Sequence, residues 1–222
     1  IGQALCAHYQ KQSDVYAFTR NDFDIDESGL VKILLDDFNE GSVLQAANKF
    51  DNDFFDKIIV SIGILHNEDF MPEKRIEEIS SDQFLEIIRI NTLVPTLIAR
   101  SFYKKLKKND KSTLAFLSAR VGSITDNRSG GWYSYRASKA ALNMVIKNLS
   151  IELRRYNKEL VVIGLHPGTV DSRLSQPFQK NLEDSKIFSA DFSVLKLSSV
   201  IDSLDIDDSG KCIAWDGEDI LP

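Results

Sequence analysis

The stretch of sequence that decides the fold covers residues 113–165 and reads TLAFLSARVGSITDNRSGGWYSYRASKAALNMVIKNLSIELRRYNKELVVIGL. Its two apolar runs, Thr113–Leu117 and Leu160–Leu165, lack the alternation with polar residues that marks a strand with one wet face. Between them, residues 133–155 carry apolar side chains at helical spacing. A buried strand, a long helix and a second buried strand indicate parallel strands joined by a crossover helix.

The same alternation of strands and helices continues on both sides of this unit. Further strands are predicted at residues 15–19, 30–35, 57–62 and 211–215, and further helices at residues 1–12, 40–50, 81–108 and 192–204. The sequence therefore predicts one α/β domain over residues 1–222, with a doubly wound, mostly parallel Rossmann-type sheet in a three-layer α/β/α arrangement. Ligands of such sheets bind at the carboxyl ends of the strands, so functional residues are expected there.

Composition narrows the class of protein. The chain has 222 residues, 43% of them hydrophobic, and a formal net charge of −6, which disfavours a nucleic-acid binder that works by phosphate attraction. No apolar run approaches the about 20 residues of a membrane helix. Cys6 and Cys212 cannot build a disulfide framework, and His8, His66 and His166 show no metal-ligand spacing. We expect a cytoplasmic protein that has no resident metal and binds neither membrane nor nucleic acid.

The strongest chemical signal is the pair Tyr135 and Lys139, four residues apart in the predicted helix and therefore on one face. A nearby ammonium favours the phenolate and is expected to lower the tyrosine pKa from its usual value of about 10. Tyr135 would then serve as a general acid or base near neutral pH. Tyr133 lies about 120° from Lys139 around the helix and is the poorer partner. Taken alone, such a pair is more often a chance surface feature.

Together with this pair, residues 117–124 (LSARVGSI) and 130–135 (GGWYSY) resemble the short-chain dehydrogenase/reductase superfamily, in particular its C-factor-like and sniffer-like carbonyl reductase branch. The order of the motifs extends the resemblance over essentially the whole chain. The resemblance implies an enzyme that interconverts a small carbonyl compound and an alcohol by hydride transfer with NAD(P)(H). An alternative is an NADP(H)-binding regulatory protein of the C-factor type, with weak or no turnover.

The resemblance also implies where the cofactor binds. Gly2 matches the last glycine of the dinucleotide-binding loop, so the first strand and the earlier glycines are expected upstream of Ile1, in a truncated sequence. Arg20 follows the strand ending at Thr19, where an arginine accommodates the 2′-phosphate of NADP and an acidic residue selects NAD. We therefore expect NADP(H) to be preferred over NAD(H), although Asp22 is close enough to complicate this choice and Arg20 could simply be a solvated surface residue.

Further cofactor positions follow the predicted strands. They are Asp36 and Asp37 for the adenine amino group, Ser61, Ile62 and Gly63 where the family usually has Asn-Ala-Gly, and Pro167, Gly168, Thr169 and Val170 at the nicotinamide carboxamide. Without the resemblance, the two aspartates could equally begin a helix, and Pro-Gly could be a simple turn.

The catalytic residues implied by the resemblance are Asn91, Tyr135, Lys139 and a serine. The family's serine position holds Ala119, so Ser118 is the first substitute and Ser123 the second. Adjacent strand residues point to opposite faces, so Ser118 can serve only if the strand end is bulged.

The remaining expectations concern the substrate pocket and assembly. The irregular residues 171–190, with Arg173, Pro177, Phe178 and Phe188, are expected to form a lid, and with Leu65, Arg120 and Trp132 they are expected to line an apolar pocket. The helices at residues 81–108 and 133–155 resemble those that build dimers in relatives, so a homodimer or homotetramer is expected.

Overall fold

The computed structural model describes residues 1–25, 29–181 and 183–222. Its α-helices are α1 (Gly2–Tyr9), α2 (Glu40–Ala47), α3 (Ser81–Ile88), α4 (Val94–Phe102), α5 (Tyr133–Leu153) and α6 (Ala190–Ser203). Its strands are β1 (Val15–Thr19), β2 (Leu30–Leu34), β3 (Lys57–Val60), β4 (Ser112–Leu117), β5 (Leu160–His166), β6 (Thr169–Val170), β7 (Ile187–Phe188) and β8 (Cys212–Ala214).

Four of the strands form a parallel sheet in the order β3-β4-β5-β8. Alternate residues of β4 point to opposite faces: Phe116 packs with Ile146 of α5, whereas Ala115 packs with Leu197 of α6. Both faces of the sheet are therefore covered by helices, which explains why β4 and β5 are apolar without alternation. The predicted α/β fold with a parallel, doubly wound sheet is confirmed.

Strands β1 and β2 form a separate parallel pair. A cleft of about 1290 Å³ lies between β1 and β3 and is lined by residues of both strands and of α1. In the described part of the chain, β1 pairs only with β2, and β3 only with β4. The strand edges that border the cleft thus carry backbone groups without a strand partner.

The helix predicted at residues 81–108 is interrupted. Helix α3 passes through a π-helical turn, Arg89–Leu93, into α4, and a 3₁₀ turn at Tyr103–Lys105 follows. Pro95 explains the break, because proline has no N–H to donate to the carbonyl group of Asn91 four residues earlier. The interruption places Asn91 in an irregular turn.

The remaining helix limits differ from prediction by a few residues. Helices α2 and α6 begin at side-chain caps, in which Asn39 accepts a hydrogen bond from the Ser42 N–H and Ser189 accepts one from the Phe192 N–H. Among the helices of the described residues, none is both long enough and apolar enough to span a bilayer.

Candidate active site

Three elements meet at the carboxyl edge of the four-stranded sheet. A methyl group added at Gly63, just after β3, would lie 3.5 Å from both Asn91 Oδ1 and Lys139 Nζ. Similarly, one added at Gly122 would lie 2.8 Å from the Lys139 Cβ, too close for any side chain. Gly122 thus allows the loop after β4 to approach α5 closely, whereas the distances at Gly63 are ordinary contacts.

Tyr135 and Lys139 lie on the buried face of α5, with 7% and 3% of their surfaces exposed. The Lys139 Nζ lies 5.9 Å from the centroid of the tyrosine ring. It donates a hydrogen bond of 2.9 Å to the carbonyl oxygen of Leu117 at the end of β4. The pair predicted from its spacing is thus brought together at the edge of the sheet where ligands of such folds bind.

The prediction that Lys139 lowers the pKa of Tyr135 is wrong. Burial raises the pKa of Tyr135 to about 12, and burial lowers the pKa of Lys139 to about 8. Loss of solvation disfavours the charged form of each group, and it is the main cause of both shifts. The phenol is therefore protonated over the physiological pH range, and it can act as a proton donor.

Asn91 joins the loop after β3 to α5 through its side chain. Its Oδ1 accepts a hydrogen bond of 2.7 Å from the Ile64 N–H, and its Nδ2 donates to the Ile64 carbonyl at 2.8 Å and to Ser138 Oγ at 3.0 Å. Ser138 in turn donates to the carbonyl oxygen of Tyr135 at 2.7 Å. The Thr92 hydroxyl adds a bond of 2.8 Å to the Ser138 carbonyl. This buried network fixes α5 beside the loop.

Ser138 and Thr92 were missed by sequence reasoning. The one available signal was a serine beside Lys139 within a helix. Its partners Asn91 and Thr92 lie 47 and 46 residues away in sequence, so spacing could not identify them.

Each candidate serine forms a hydrogen bond with another residue of the protein. Ser118 Oγ donates a hydrogen bond of 2.6 Å to Asn143 Oδ1 on α5. Ser123 Oγ accepts one of 3.0 Å from the Asp126 N–H. Ala119, between them, has an extended backbone with φ of −154°. A role for either serine stays a prediction.

The residues predicted at the nicotinamide end follow β5. Gly168 has a φ of +75°, and a methyl group there would lie 2.6 Å from Phe188 Cε2, so both backbone and space require glycine. The Pro167 carbonyl accepts a hydrogen bond of 2.8 Å from Ser193 on α6. Thr169 and Val170 form β6 and pair with β7. This turn is thus fixed beside the carboxyl end of β5.

The residues predicted for the glycine-rich loop, the 2′-phosphate and the adenine are more exposed. Gly2 begins α1, and a methyl group on it would lie 3.0 Å from Ser61 Oγ, so these two predicted positions adjoin. Arg20 and Asp36 are exposed at the ends of β1 and β2. Asp37 accepts hydrogen bonds from Ser42 Oγ at 2.9 Å and Asn39 Nδ2 at 2.7 Å, which stabilises the start of α2.

Asp22, the residue that complicates the cofactor choice, forms an ion pair of 2.8 Å with Lys32. The hydrogen bond from Lys32 lowers the pKa of Asp22. The carboxylate of Asp22 is therefore neutralised by a lysine of β2.

The expected pocket lining is brought together only in part. Trp132 packs on Phe178 with ring centroids 4.9 Å apart, and on Tyr135 at 6.2 Å. His66 Nε2 donates to the carbonyl oxygens of Arg173 and Leu174 at 3.1 and 3.2 Å, which ties the irregular segment to the loop after β3. The Trp132 ring thus contacts both the Phe178 ring and the buried Tyr135 ring.

Arg120 was also expected in the pocket, but it forms ion pairs with Asp126 at 3.1 Å and Glu218 at 3.2 Å. Its guanidinium is thus directed to the C-terminal segment. In the described ranges, no group of three or more His, Cys, Asp or Glu side chains is arranged to hold a metal ion.

The family model for short chain dehydrogenases matches residues 38–183. The C-signal protein of Myxococcus xanthus is 33% identical over 131 residues, which are 59% of this chain and 74% of that protein. The chain spans only about half the length of other curated relatives that it matches, with coverages of 55% and 50%.

Solved structures agree with the fold. The NADPH-bound carbonyl reductase from chicken fatty liver matches with a TM-score of 0.83 and 24% identity, over 100% of this chain and 94% of that one. The carbonyl reductase Sniffer of D. melanogaster matches with a TM-score of 0.83 and 21% identity, over 99% and 92%. At these identities the structures establish the likeness of fold, whereas the family match establishes descent. The chain belongs to the short-chain dehydrogenase/reductase family.

Proposed function

We propose that this protein is an NADP(H)-dependent oxidoreductase that interconverts a small carbonyl compound and an alcohol. The observation that carries the proposal is the buried Tyr135, with the Lys139 Nζ 5.9 Å from its ring centroid, at the carboxyl edge of the sheet. A protonated phenol is the form needed to donate a proton to a carbonyl oxygen. When bound, NADP(H) supplies or accepts the hydride.

The other residues prepare this proton transfer. Lys139 would hold the nicotinamide ribose and place a positive charge near the phenol, and Asn91 would connect the proton path to solvent through its main-chain carbonyl. The Asn91 carbonyl oxygen receives no hydrogen bond from residue 95, because Pro95 has no N–H to donate. Ser118 or Ser123 would orient the substrate carbonyl.

The residues present fit a nicotinamide dinucleotide. The backbone at Gly63 lies beside Lys139, since a methyl group there would be 3.5 Å from the Lys139 Nζ. Among the described residues, no side-chain hydrogen bond caps the N-terminus of α1 at Gly2, so its first N–H groups could meet a phosphate. Ser61, Ile62, Pro167, Thr169 and Val170 would flank the nicotinamide half, and Asp36 and Asp37 the adenine.

NADP(H) is favoured over NAD(H) by the charges at the end of β1. Arg20 is exposed and can meet a 2′-phosphate, while the ion pair with Lys32 offsets the repulsion that Asp22 would exert on that phosphate.

The deciding experiment compares Tyr135→Phe with Tyr133→Phe, which removes a hydroxyl two residues away on the same helix. NADPH binding is measured by fluorescence, and turnover by NADPH oxidation with a panel of aldehydes, ketones and quinones. We expect Tyr135→Phe to lower kcat by about 10³-fold or more while NADPH affinity changes less than about twofold. Tyr133→Phe should retain turnover. Wild-type turnover in Tyr135→Phe would contradict the proposal.

A regulatory function is the second candidate, and Ala119 in place of the family's serine is the observation that favours it. One hydrogen-bond donor to the substrate carbonyl would then be absent. Tight NADPH binding without turnover on any tested carbonyl would support this reading over the reductase.

We further propose that the cleft between β1 and β3 accepts one more parallel strand, which the resemblance places before Gly2. Such a strand would pair with both free edges and join the two parts of the sheet. A chain extended at its N-terminus should bind NADPH more tightly than residues 1–222, and equal affinity would contradict this.

Finally, we propose that two or four copies of the chain assemble through α3 and α5. Their outward faces expose Leu85, Met144 and Ile151, which have 66%, 61% and 57% of their surfaces accessible. Sedimentation should show a dimer or tetramer that Met144→Glu dissociates. A wild-type monomer would contradict the assembly.

A further inference from the structure

Glu73 is a buried carboxylate that the sequence analysis did not single out. It lies between β3 and α3, and 1% of its surface is exposed. Within the described ranges, Glu73 is the one buried acidic side chain, and Lys139 is the one buried basic side chain. A carboxylate removed from water is stabilised only by hydrogen bonds or charges directed at it, so its partners indicate its role.

All of the hydrogen-bond partners found for Glu73 belong to the start of α5. Its Oε2 accepts a hydrogen bond of 3.3 Å from the Ser134 N–H. Its Oε1 accepts a short hydrogen bond from the Ser134 hydroxyl. Its main-chain carbonyl accepts another from the Trp132 N–H. A residue 61 positions away thus holds both ends of the tripeptide that precedes Tyr135.

Helix α5 needs an external acceptor because its own N-cap residue cannot supply one. Trp132 has no side-chain oxygen and makes no capping hydrogen bond, and its φ of 52° is in the left-handed region. The first N–H groups of a helix have no partner within the helix, and a negative charge is favoured there. The Glu73 carboxylate therefore serves as a cap supplied by another segment.

This cap acts next to the proposed proton donor. Tyr135 directly follows Ser134. The centroids of the Trp132 and Tyr135 rings are 6.2 Å apart. A displacement of residues 132–134 would move the Tyr135 phenol and the Trp132 ring together. Gly131, which precedes the tripeptide, would bring a methyl group within 3.4 Å of the Glu73 carbonyl, so the two segments are closely apposed.

We propose that Glu73 is a positioning residue that caps α5 and sets the placement of the Tyr135 phenol. This proposal rests on the proposed function of Tyr135. Glu73 does not exchange a proton with the substrate. Its side chain acts through Ser134, and removal of the side chain is felt as misplacement of the proton donor.

The test uses Glu73→Ala, Glu73→Gln, Ser134→Ala and the double variant, with Glu77→Gln as an exposed control in the same segment. We expect Glu73→Ala to lower kcat by about 10- to 100-fold, since a displacement of about 1 Å can have that effect. NADPH affinity should change by less than about twofold, because most of the predicted cofactor positions are on other elements and Lys139 on α5 keeps its own hydrogen bond to the Leu117 carbonyl. Glu77→Gln should match the wild type.

Glu73→Gln separates positioning from folding. The amide oxygen can still accept from the Ser134 hydroxyl, but its NH₂ group cannot accept from the Ser134 N–H. We therefore expect an intermediate kcat at unchanged NADPH affinity. If Glu73→Ala fails to fold, this variant still decides the matter. If Glu73 acts through Ser134, the double variant should be no slower than Glu73→Ala alone.

Wild-type kcat in Glu73→Gln and in a folded Glu73→Ala, with Tyr135→Phe inactive, would overturn the role of Glu73 alone. Additive losses in the double variant, or a kcat loss matched by an equal loss of NADPH-binding capacity, would also overturn it. Wild-type turnover in Tyr135→Phe would instead overturn the proposed function. The two failures are thus distinguishable.

Discussion

The two parts of the sheet differ in how they hold their polar residues. In the four-stranded part, β4 is buried throughout, and Lys139 and Asn91 beside it are almost completely enclosed. In the β1–β2 pair, every residue of β1 is partly exposed, and the Asp22 side chain in its ion pair with Lys32 is 69% exposed.

The difference fits the function that we propose for each part. Proton transfer requires a donor with one fixed position and no competing water, which burial and a dense hydrogen-bond network supply. Choosing between cofactors by a phosphate requires a charge that the phosphate can reach from solvent, as Arg20 offers. We therefore expect substitutions in the first part to change kcat and stability, and substitutions in the second to change cofactor affinity alone.

The largest expected effect comes from a pair of substitutions that each remove a polar contact, one in each part of the sheet. Asn91→Leu leaves the Ile64 N–H and carbonyl without their buried partner, and should lower the free energy of unfolding by about 3 kcal/mol. Asp22→Ala breaks an exposed ion pair and should lower it far less, because solvent screens the two charges. Urea unfolding monitored by circular dichroism measures both. Equal effects would remove the distinction between the two parts.

A second prediction concerns pH and the buried ammonium. The pKa of Lys139 is about 8 in the folded protein, below its usual value of 10.5. Between these values the unfolded chain binds more protons, so the free energy of unfolding contributed by Lys139 rises with pH. The gain from pH 7.5 to 9.5 should be about 1–2 kcal/mol.

Lys139→Met should lose that gain, whereas Lys147→Met, at an exposed position of α5, should keep it. Urea unfolding at the two pH values decides the matter. If wild type and Lys139→Met respond to pH alike, the ammonium is not desolvated in solution.

The smallest expected effect lies in the exposed part. Arg20→Ser should weaken NADPH binding by about tenfold, because one charge pairing with the 2′-phosphate is lost. NADH affinity and the urea midpoint should stay at wild-type values. Fluorescence titration with both cofactors provides the measurement. An equal loss for NADPH and NADH would place Arg20 away from the 2′-phosphate.

Much of the fold followed from local pattern. The apolar runs of β4 and β5 predicted buried parallel strands because a strand covered on both faces needs no polar alternation. Pro95 could have predicted the break between α3 and α4, but helical spacing continues across it and concealed the π-helical turn.

The site was predictable only where its residues are neighbours in sequence. The spacing of Tyr135 and Lys139 indicated the pair, since four residues make about one helical turn. The pKa of Tyr135 was predicted in the wrong direction, because sequence shows the neighbouring ammonium but not the burial that outweighs it. Glu73, Thr92 and Ser138 escaped notice because their contacts join separate elements.

By itself, the sequence determined the class of fold, the order of its strands and helices, and the chemical identity of the proposed proton donor. These depend on hydrophobic periodicity and on residue types a few positions apart. Tertiary structure alone decided that burial raises the pKa of the phenol, that Asn91 and Glu73 form hydrogen bonds with α5, and that Lys32 pairs with Asp22. Desolvation and hydrogen bonding depend on which distant segments pack together, and packing is a property of the folded chain.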